Sequence, residues 1–284
     1  MRFFTLLLLA TAGLFPLLAA GQSATHTLAR GCFYSLFRPV PRDSLQELRP
    51  DRPGVSESPF TVDAGHFQLE TDLLRLVNND QQAHHERDFR VNQALLKIGL
   101  STRTDLQIGL DSYTWEKQWD DDREPERHQG FGDLTVRVKR TLLGGAPNQP
   151  AALGIIGLVH LPVGPEVGLK VPEYGLVVPF SYDFSKEFNL QVQVLSNLNY
   201  DGEQGHRFLL LAPSTAIDYE FSPKISAFAE LASFWDTRQQ AWQASFNLGP
   251  QLHIGDNVIL DGGTHLALTR DTDQEYFLGL SFRI

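Results

Sequence analysis

The chain has 284 residues, 42% of them hydrophobic, with a formal net charge of −10 and one cysteine. That length suits one large all-β domain, and the acidic balance argues against nucleic acid as a partner. The sole cysteine, Cys32, cannot form an internal disulfide, so the fold owes nothing to cross-links.

Met1-Arg2 gives a positive start, Phe3 to Leu18 is almost wholly apolar, and Ala19, Ala20 and Gly21 precede Gln22-Ser23. This is the order of a secretory signal peptide over residues 1–21, with cleavage near Gly21. A membrane helix fits less well, because the run is short and contains Pro16. Gly31-Cys32 resembles a lipoprotein cleavage site, but it lies past the apolar stretch and follows Arg30.

Residues 22–65 form a leader with Pro39, Pro41, Pro50, Pro53 and Pro59 and no sustained period, apart from a short helix expected near Asp43 to Leu48. Strand periodicity begins at His66 and continues to residue 284. Its clearest stretch is Phe188 to Asn199. Phe188, Leu190, Val192, Val194 and Leu198 share one parity; Asn189, Gln191, Gln193, Asn197 and Asn199 share the other. Alternation over about ten residues suits a tilted membrane-crossing strand, whereas ordinary strands run to about 5–6. Val192 is then lipid-facing and Gln193 faces the interior.

Similar alternation runs from Phe67 to Leu73, Gln93 to Leu100, Asp105 to Asp111, Asp133 to Leu142, Ile225 to Leu231, Trp242 to Leu248, Val258 to Leu268 and Tyr276 to Ile284. Residues 151–183 and 207–219 are apolar on both parities, so their faces stay unassigned. The expectation is about twelve strands in an antiparallel transmembrane β-barrel, residues 66–284. Tight connections at Ser101 to Thr104, Asp183 to Lys186, Glu220 to Lys224 and Gly255 to Asn257 alternate with longer ones. The longer set is residues 78–87, 117–130, 162–173, 200–206, 236–240 and 270–274. That asymmetry describes an outer-membrane barrel with both termini in the periplasm, Asp121 and His85 on the cell surface, and Asn148 and Asn257 on the periplasmic side.

Phe188, Trp235, Trp242, Tyr276, Phe282, Tyr113 and Trp115 suit interfacial positions. A last strand ending Leu280-Ser281-Phe282-Arg283-Ile284 suits closure onto the first. Outer-membrane lipid and, during folding, the barrel-assembly machinery are the expected partners.

Arg49 to Glu70 reads R-P-D-R-P-G-V-S-E-S-P-F-T-V-D-A-G-H-F-Q-L-E. With Asp51-Arg52-Pro53, Gly65, Gln68 and Glu70, it resembles the opening signature of a bacterial family of transporters named for a meta-pathway of phenol degradation. Gly130-Phe131-Gly132-Asp133-Leu134 and Leu161-Pro162-Val163-Gly164 resemble later parts of that family. The resemblance covers about residues 49–284. It implies the fold and a transport context, and no catalytic motif travels with it.

On the faces that can be assigned, Glu70, Asp72, Asp105, Asp111, Asp133, Glu230 and Asp261 point inward against Arg137, Lys139 and Arg283. Such charges pair structurally or, if free, favour cations and neutral polar solutes over anions. A twelve-stranded pore is narrow or plugged, and the leader is the candidate plug. It is too long for a linker, and Arg49 and Arg52 beside Asp51 bring positive charge to an acidic interior.

Asp120-Asp121-Asp122, with Glu116, Glu124 and Glu126, reads as a solvated acidic loop without calcium-loop spacing, and His84-His85 as exposed polar sequence. Ser196, Ser214, His160 and His206 are available to a hydrolase, but no local motif links them and G-x-S-x-G is absent. The reading is therefore a barrel, not an enzyme and without cofactor or metal, that passes or binds small molecules of apolar or aromatic character. An outer-membrane lipid hydrolase and a non-conducting structural or adhesive barrel are the rivals.

Overall fold

The computed structural model describes residues 33–284, except 82–83, 121–123, 146–148, 165–167, 203, 239 and 271. The expected signal peptide, Cys32, Asp121, Asp122 and Asn148 lie outside the described residues.

Fourteen strand segments follow the leader. They are β1 (Phe67–Gln81), β2 (His84–Ser101), β3 (Thr104–Leu110), β4 (Tyr113–Asp120), β5 (Glu126–Phe131), β6 (Leu134–Leu143) and β7 (Ala151–Leu161). The second half comprises β8 (Glu173–Asp183), β9 (Phe188–Asp201), β10 (His206–Ser222), β11 (Ile225–Asp236), β12 (Ala241–His253), β13 (Val258–Ala267) and β14 (Gln274–Arg283). Two breaks account for the number. β3 and β4 pair with successive halves of β2 and make one barrel strand, interrupted at Asp111-Ser112. β5 and β6 make the next, interrupted at Gly132-Asp133, where the Gly132 amide bonds the Asp111 carbonyl at 2.8 Å. The result is a closed, twelve-stranded antiparallel barrel.

Closure joins β1 to β14. At the edge of that seam Phe67 and Ile284 exchange backbone hydrogen bonds of 3.2 and 2.8 Å, which leaves neither strand an open end. The tight connections, including Ser101 to Thr104 and Ser222 to Ile225, share the end of the barrel that holds this seam.

Two of the longer connections are not loops. Residues 78–87 and 117–130 largely continue the hairpins β1–β2 and β4–β5. At 18 residues β2 far exceeds the roughly 9–11 a bilayer crossing needs, so this side of the wall stands above the hydrocarbon. Instead of the expected short helix there is one 3₁₀ turn, Arg42–Ser44, held by the Ser44 amide on the Pro41 carbonyl at 2.9 Å.

The lipid face follows the alternation. Val192, Val194, Leu176, Leu231 and Leu278 are exposed, while Gln193 is 1% exposed. Aromatic rings gather near both ends of the wall, Phe184, Phe188, Tyr219 and Phe221 beside the tight turns and Trp235 against Trp242 (5.0 Å between centroids) at the other. Within β1 and β2 the alternation slips. Leu73 and Asn92 are skipped by the β1–β2 pairing, Asn92 has φ +54°, and Thr71 Oγ1 donates to Asn92 Oδ1 at 2.9 Å. Beyond this bulge the faces exchange, which turns Arg75 and Arg90 inward.

Residues 151–183 and 207–219, unassignable by parity, have an inner face of Ala152, Ile156, Val177, Ala212 and Ala216, all buried. A lumen filled by protein gives its wall an apolar lining, and the usual contrast between a polar inside and an apolar outside disappears.

Val194 is 48% exposed near the middle of β9. Val194→Arg should therefore lower barrel stability by about 2–4 kcal/mol, read as loss of heat-modifiable gel mobility in urea. Val194→Leu should match the parent.

Candidate functional site: a leader docked inside the barrel

The leader enters at the seam end. Leu36 donates its amide to the Leu100 carbonyl at 3.1 Å, and His66 Nε2 lies 2.8 Å from the Val40 carbonyl. The Gln46 amide and Arg283 share the Asp63 carboxylate at 3.0 and 3.2 Å. Arg49 pairs with Asp183 at 3.3 Å and lies over the Phe60 ring, near the rim. From Pro50 the chain turns into the lumen, and it returns through Pro59 to Val62.

Two adjacent residues of opposite charge anchor the turn. Asp51 contacts the ammonium groups of Lys97 and Lys139, which are 2% and 1% exposed at their side chains. Glu70 accepts the Asp51 amide at 3.0 Å and also pairs with Lys97. Arg52 spans the lumen the other way, forked onto Asp261 at 2.7 and 3.2 Å and touching Asp72. Forked guanidinium–carboxylate contacts fix direction as well as charge. Arg75, brought inward by the bulge, ties Asp72 (2.8 Å) to Glu275.

The remaining contacts are made by backbone. Glu230 accepts the amides of Val55 and Ser56 at 2.7 and 2.6 Å, and Asn247 Nδ2 supports it at 2.7 Å. Gln193 accepts the Glu57 amide at 2.8 Å and donates to the Val55 carbonyl at 3.1 Å. Arg137 pairs with Glu57. Lys139 donates to the Ser58 carbonyl at 2.8 Å, and Asp105 accepts the Val62 amide at 3.0 Å. A proline-rich segment has few amides of its own to donate and no ladder, so the wall supplies side-chain partners one by one.

Two glycines give the turn room. A Cβ on Gly279 would sit 1.8 Å from the Arg52 guanidinium, and one on Gly54 would lie 2.9 Å from the Glu230 carboxylate.

The structure thus gathers Arg49, Asp51, Arg52, Glu70, Asp72, Asp105, Arg137, Lys139, Glu230 and Asp261 on the leader or on the wall facing it. Asp133 sits elsewhere. Its carboxylate accepts the amides of Val163 and Gly164, both at 3.1 Å, and of Leu169 at 2.5 Å, pinning the β7–β8 connection. Asp111 borders the cavity beyond the leader. Sequence reasoning omitted Lys97 from the charges inside, although its parity with Gln93 placed it there. It missed Arg75 because no alternation rule anticipates a bulge. Ser214 bonds the leader's Ser56 at 2.8 Å and His160 bonds Thr135 at 2.8 Å, so neither of these hydrolase candidates engages another of the four.

The leader divides the interior. Beyond it, towards the long connections, lies a cavity of about 400 Å³ bordered by Leu95, Leu158, Leu195, His160, Asn197 and Arg137. A second of about 310 Å³ lies by Arg75, Asn79 and Glu275. On the seam side, about 310 Å³ opens between Arg49, Phe60, Asp63 and Arg283.

Burial alone would raise the Asp51 carboxyl, but Lys139, Lys97 and Arg137 outweigh it and hold the group well below the ordinary carboxylate value of 3.8. Its contribution to docking is complete above that value and disappears as pH falls through the depressed one.

A model of the family described as "Putative MetA-pathway of phenol degradation" matches residues 50–283. An outer-membrane channel from Pseudomonas putida F1 superposes with a TM-score of 0.59 at 15% identity, over 82% of this chain and 98% of that one. The NanC porin gives 0.48 at 12% identity, over 76% and 100%, and the KdgM porin 0.45 at 10%, over 74% and 97%. No curated protein matches by sequence.

Arg52→Ala leaves Asp72 and Asp261 without their shared cation. Breaking such a buried pair costs about 3–5 kcal/mol, so the leader should become sensitive to proteinase K while the barrel keeps its folded gel mobility. Gly279→Ala should reproduce this with every charge retained. In the unsubstituted protein the leader should stay protected from neutral pH to pH 5 and become cleavable by pepsin only well below pH 3.8.

Proposed function

The chain belongs to the MetA-pathway phenol-degradation family, and on that premise we propose that this outer-membrane barrel passes small amphiphilic aromatic molecules through a lumen gated by its own leader. The carrying observation is the turn at residues 51–57, which separates the inner cavities and is held by the wall's ion pairs. The family description supplies the context of phenolic compounds.

The cavity beyond the leader supports that solute class. Leu95, Leu158 and Leu195 offer an apolar surface for a ring. At its border Asn197 Oδ1 and Arg137 Nε are buried without hydrogen-bond partners, an acceptor and a donor suited to a phenolic hydroxyl. A space of about 400 Å³ lies within the range of small-molecule sites.

The orientation belongs to the same proposal. The tight turns and both described ends of the chain share one side, which we assign to the periplasm. Lys186→Cys and Asn257→Cys should then resist an impermeant maleimide on intact cells, while His85→Cys reacts; the reverse pattern would invert the barrel.

The gate is tested in planar bilayers. Single-channel conductance should rise at least severalfold for Arg52→Ala and Gly279→Ala, and cresol added to either should reduce the current. Parental conductance in both folded variants would remove the gate and leave a non-conducting structural barrel as the better reading.

A further inference from the structure

Above the membrane-crossing part of the wall, the hairpins β1–β2 and β4–β5 bring three carboxylates together. Asp88 on β2 stands directly opposite Glu116 on β4, and Glu86 lies two residues away on the same inner face. One oxygen from each of Glu86, Asp88 and Glu116 lies within 4.8 Å of the others. Oxygens bound to one calcium ion at about 2.3–2.6 Å are at most about 5 Å apart, so the three carboxylates fit within one ligand shell.

Charge alone does not make a site, but the hydrogen-bonding here is also incomplete. Asp88 is 3% exposed, and its Oδ1 has no donor. Its Oδ2 takes the Arg90 guanidinium at 2.6 Å. Asn79, opposite Glu86 on β1, donates Nδ2 to Asp273 at 2.7 Å and leaves its own Oδ1 buried without a partner. A buried anionic acceptor thus lacks a donor beside two more carboxylates, and a second acceptor lacks one on the paired strand. Gln118 donates to Glu116, and His128, opposite Glu116 on β5, lies 3.9 Å from Glu126. Among the described residues Arg90 is the arginine in contact with the cluster, and one guanidinium does not balance three carboxylates. A buried acceptor without a donor is costly, and a cation satisfies several at once.

We infer that Glu86, Asp88 and Glu116 bind a divalent cation of the calcium class at the mouth of the barrel. An all-oxygen set without thiolate or imidazole selects a hard cation. Three protein carboxylates in one set suit calcium, with its roughly 6–8 oxygen ligands, better than magnesium, which keeps several waters and takes one or two carboxylates. The ion joins β2 to β4 where both strands have left the bilayer, so it fixes the shape of the entrance. It does not depend on the leader.

Terbium is the probe, added to refolded full-length protein in detergent, with emission sensitised by Trp115 and Trp119 on β4 and calcium titrated calorimetrically in parallel. The expected result is saturable emission displaced by calcium before magnesium. Glu116→Gln and Glu86→Gln should each weaken terbium and calcium binding at least tenfold while retaining folded gel mobility. Asp122→Asn, in the neighbouring acidic connection, should bind as the parent does. Parental affinity in both glutamine variants, loss of binding in Asp122→Asn alone, or no saturable binding by either method would overturn the site. Arg52→Ala should leave terbium binding unchanged, so failure of the gate and failure of this site are read separately.

Discussion

The leader's position depends on a dipeptide of opposite charges. Asp51 needs the two lysines of β2 and β6, Arg52 needs carboxylates of β1 and β13, and the peptide bond between them fixes how the two sets are spaced. Removing these six ionised groups from water is expensive, and the pairing energy roughly offsets that cost. The pairs therefore do more to select one docked arrangement than to add net stability. A shift of the leader by one residue would set Asp51 against Asp72 and Asp261 in one direction, or Arg52 against Lys97 and Lys139 in the other.

The docked leader also explains the composition of the wall. Where it packs through Pro59, the inner face uses Gly154, Pro179 and small or branched residues, since a Cβ on Gly154 would lie 3.0 Å from Pro59 Cα. Where it turns, the wall presents acids and amides for its backbone. Three separated stretches that carry the family resemblance meet these tasks. Asp51-Arg52 and Glu70 build the latch, while Asp133 and Val163-Gly164, thirty residues apart in sequence, join to hold one connection.

Much of this was legible in the chain, and the rest was not for physical reasons. Strict alternation at Phe188 to Asn199 gave the lipid face correctly, because a pleated strand allows only two sides. The inward acids Glu70, Asp72, Asp105, Glu230 and Asp261 followed from the same rule. It failed in three ways. At Leu73 and Asn92 a bulge exchanged the faces. At residues 151–183 an apolar lumen erased the contrast between them. At residues 78–87 and 117–130 polar side chains on strands above the bilayer resembled loops, because water on both sides removes any demand for alternation. The cluster at Glu86, Asp88 and Glu116 is invisible for a further reason: its members meet across strand pairing, and no spacing along the chain encodes that register.

The reach of Arg52 has a consequence for assembly. Its partners Asp72 and Asp261 belong to the first and eleventh of the twelve wall strands, which come to flank β14 together only when β14 has joined β1. The half of the leader's binding site that holds Arg52 therefore does not exist in a sheet whose last seam is still open. A docked Arg52 records that the final seam has formed.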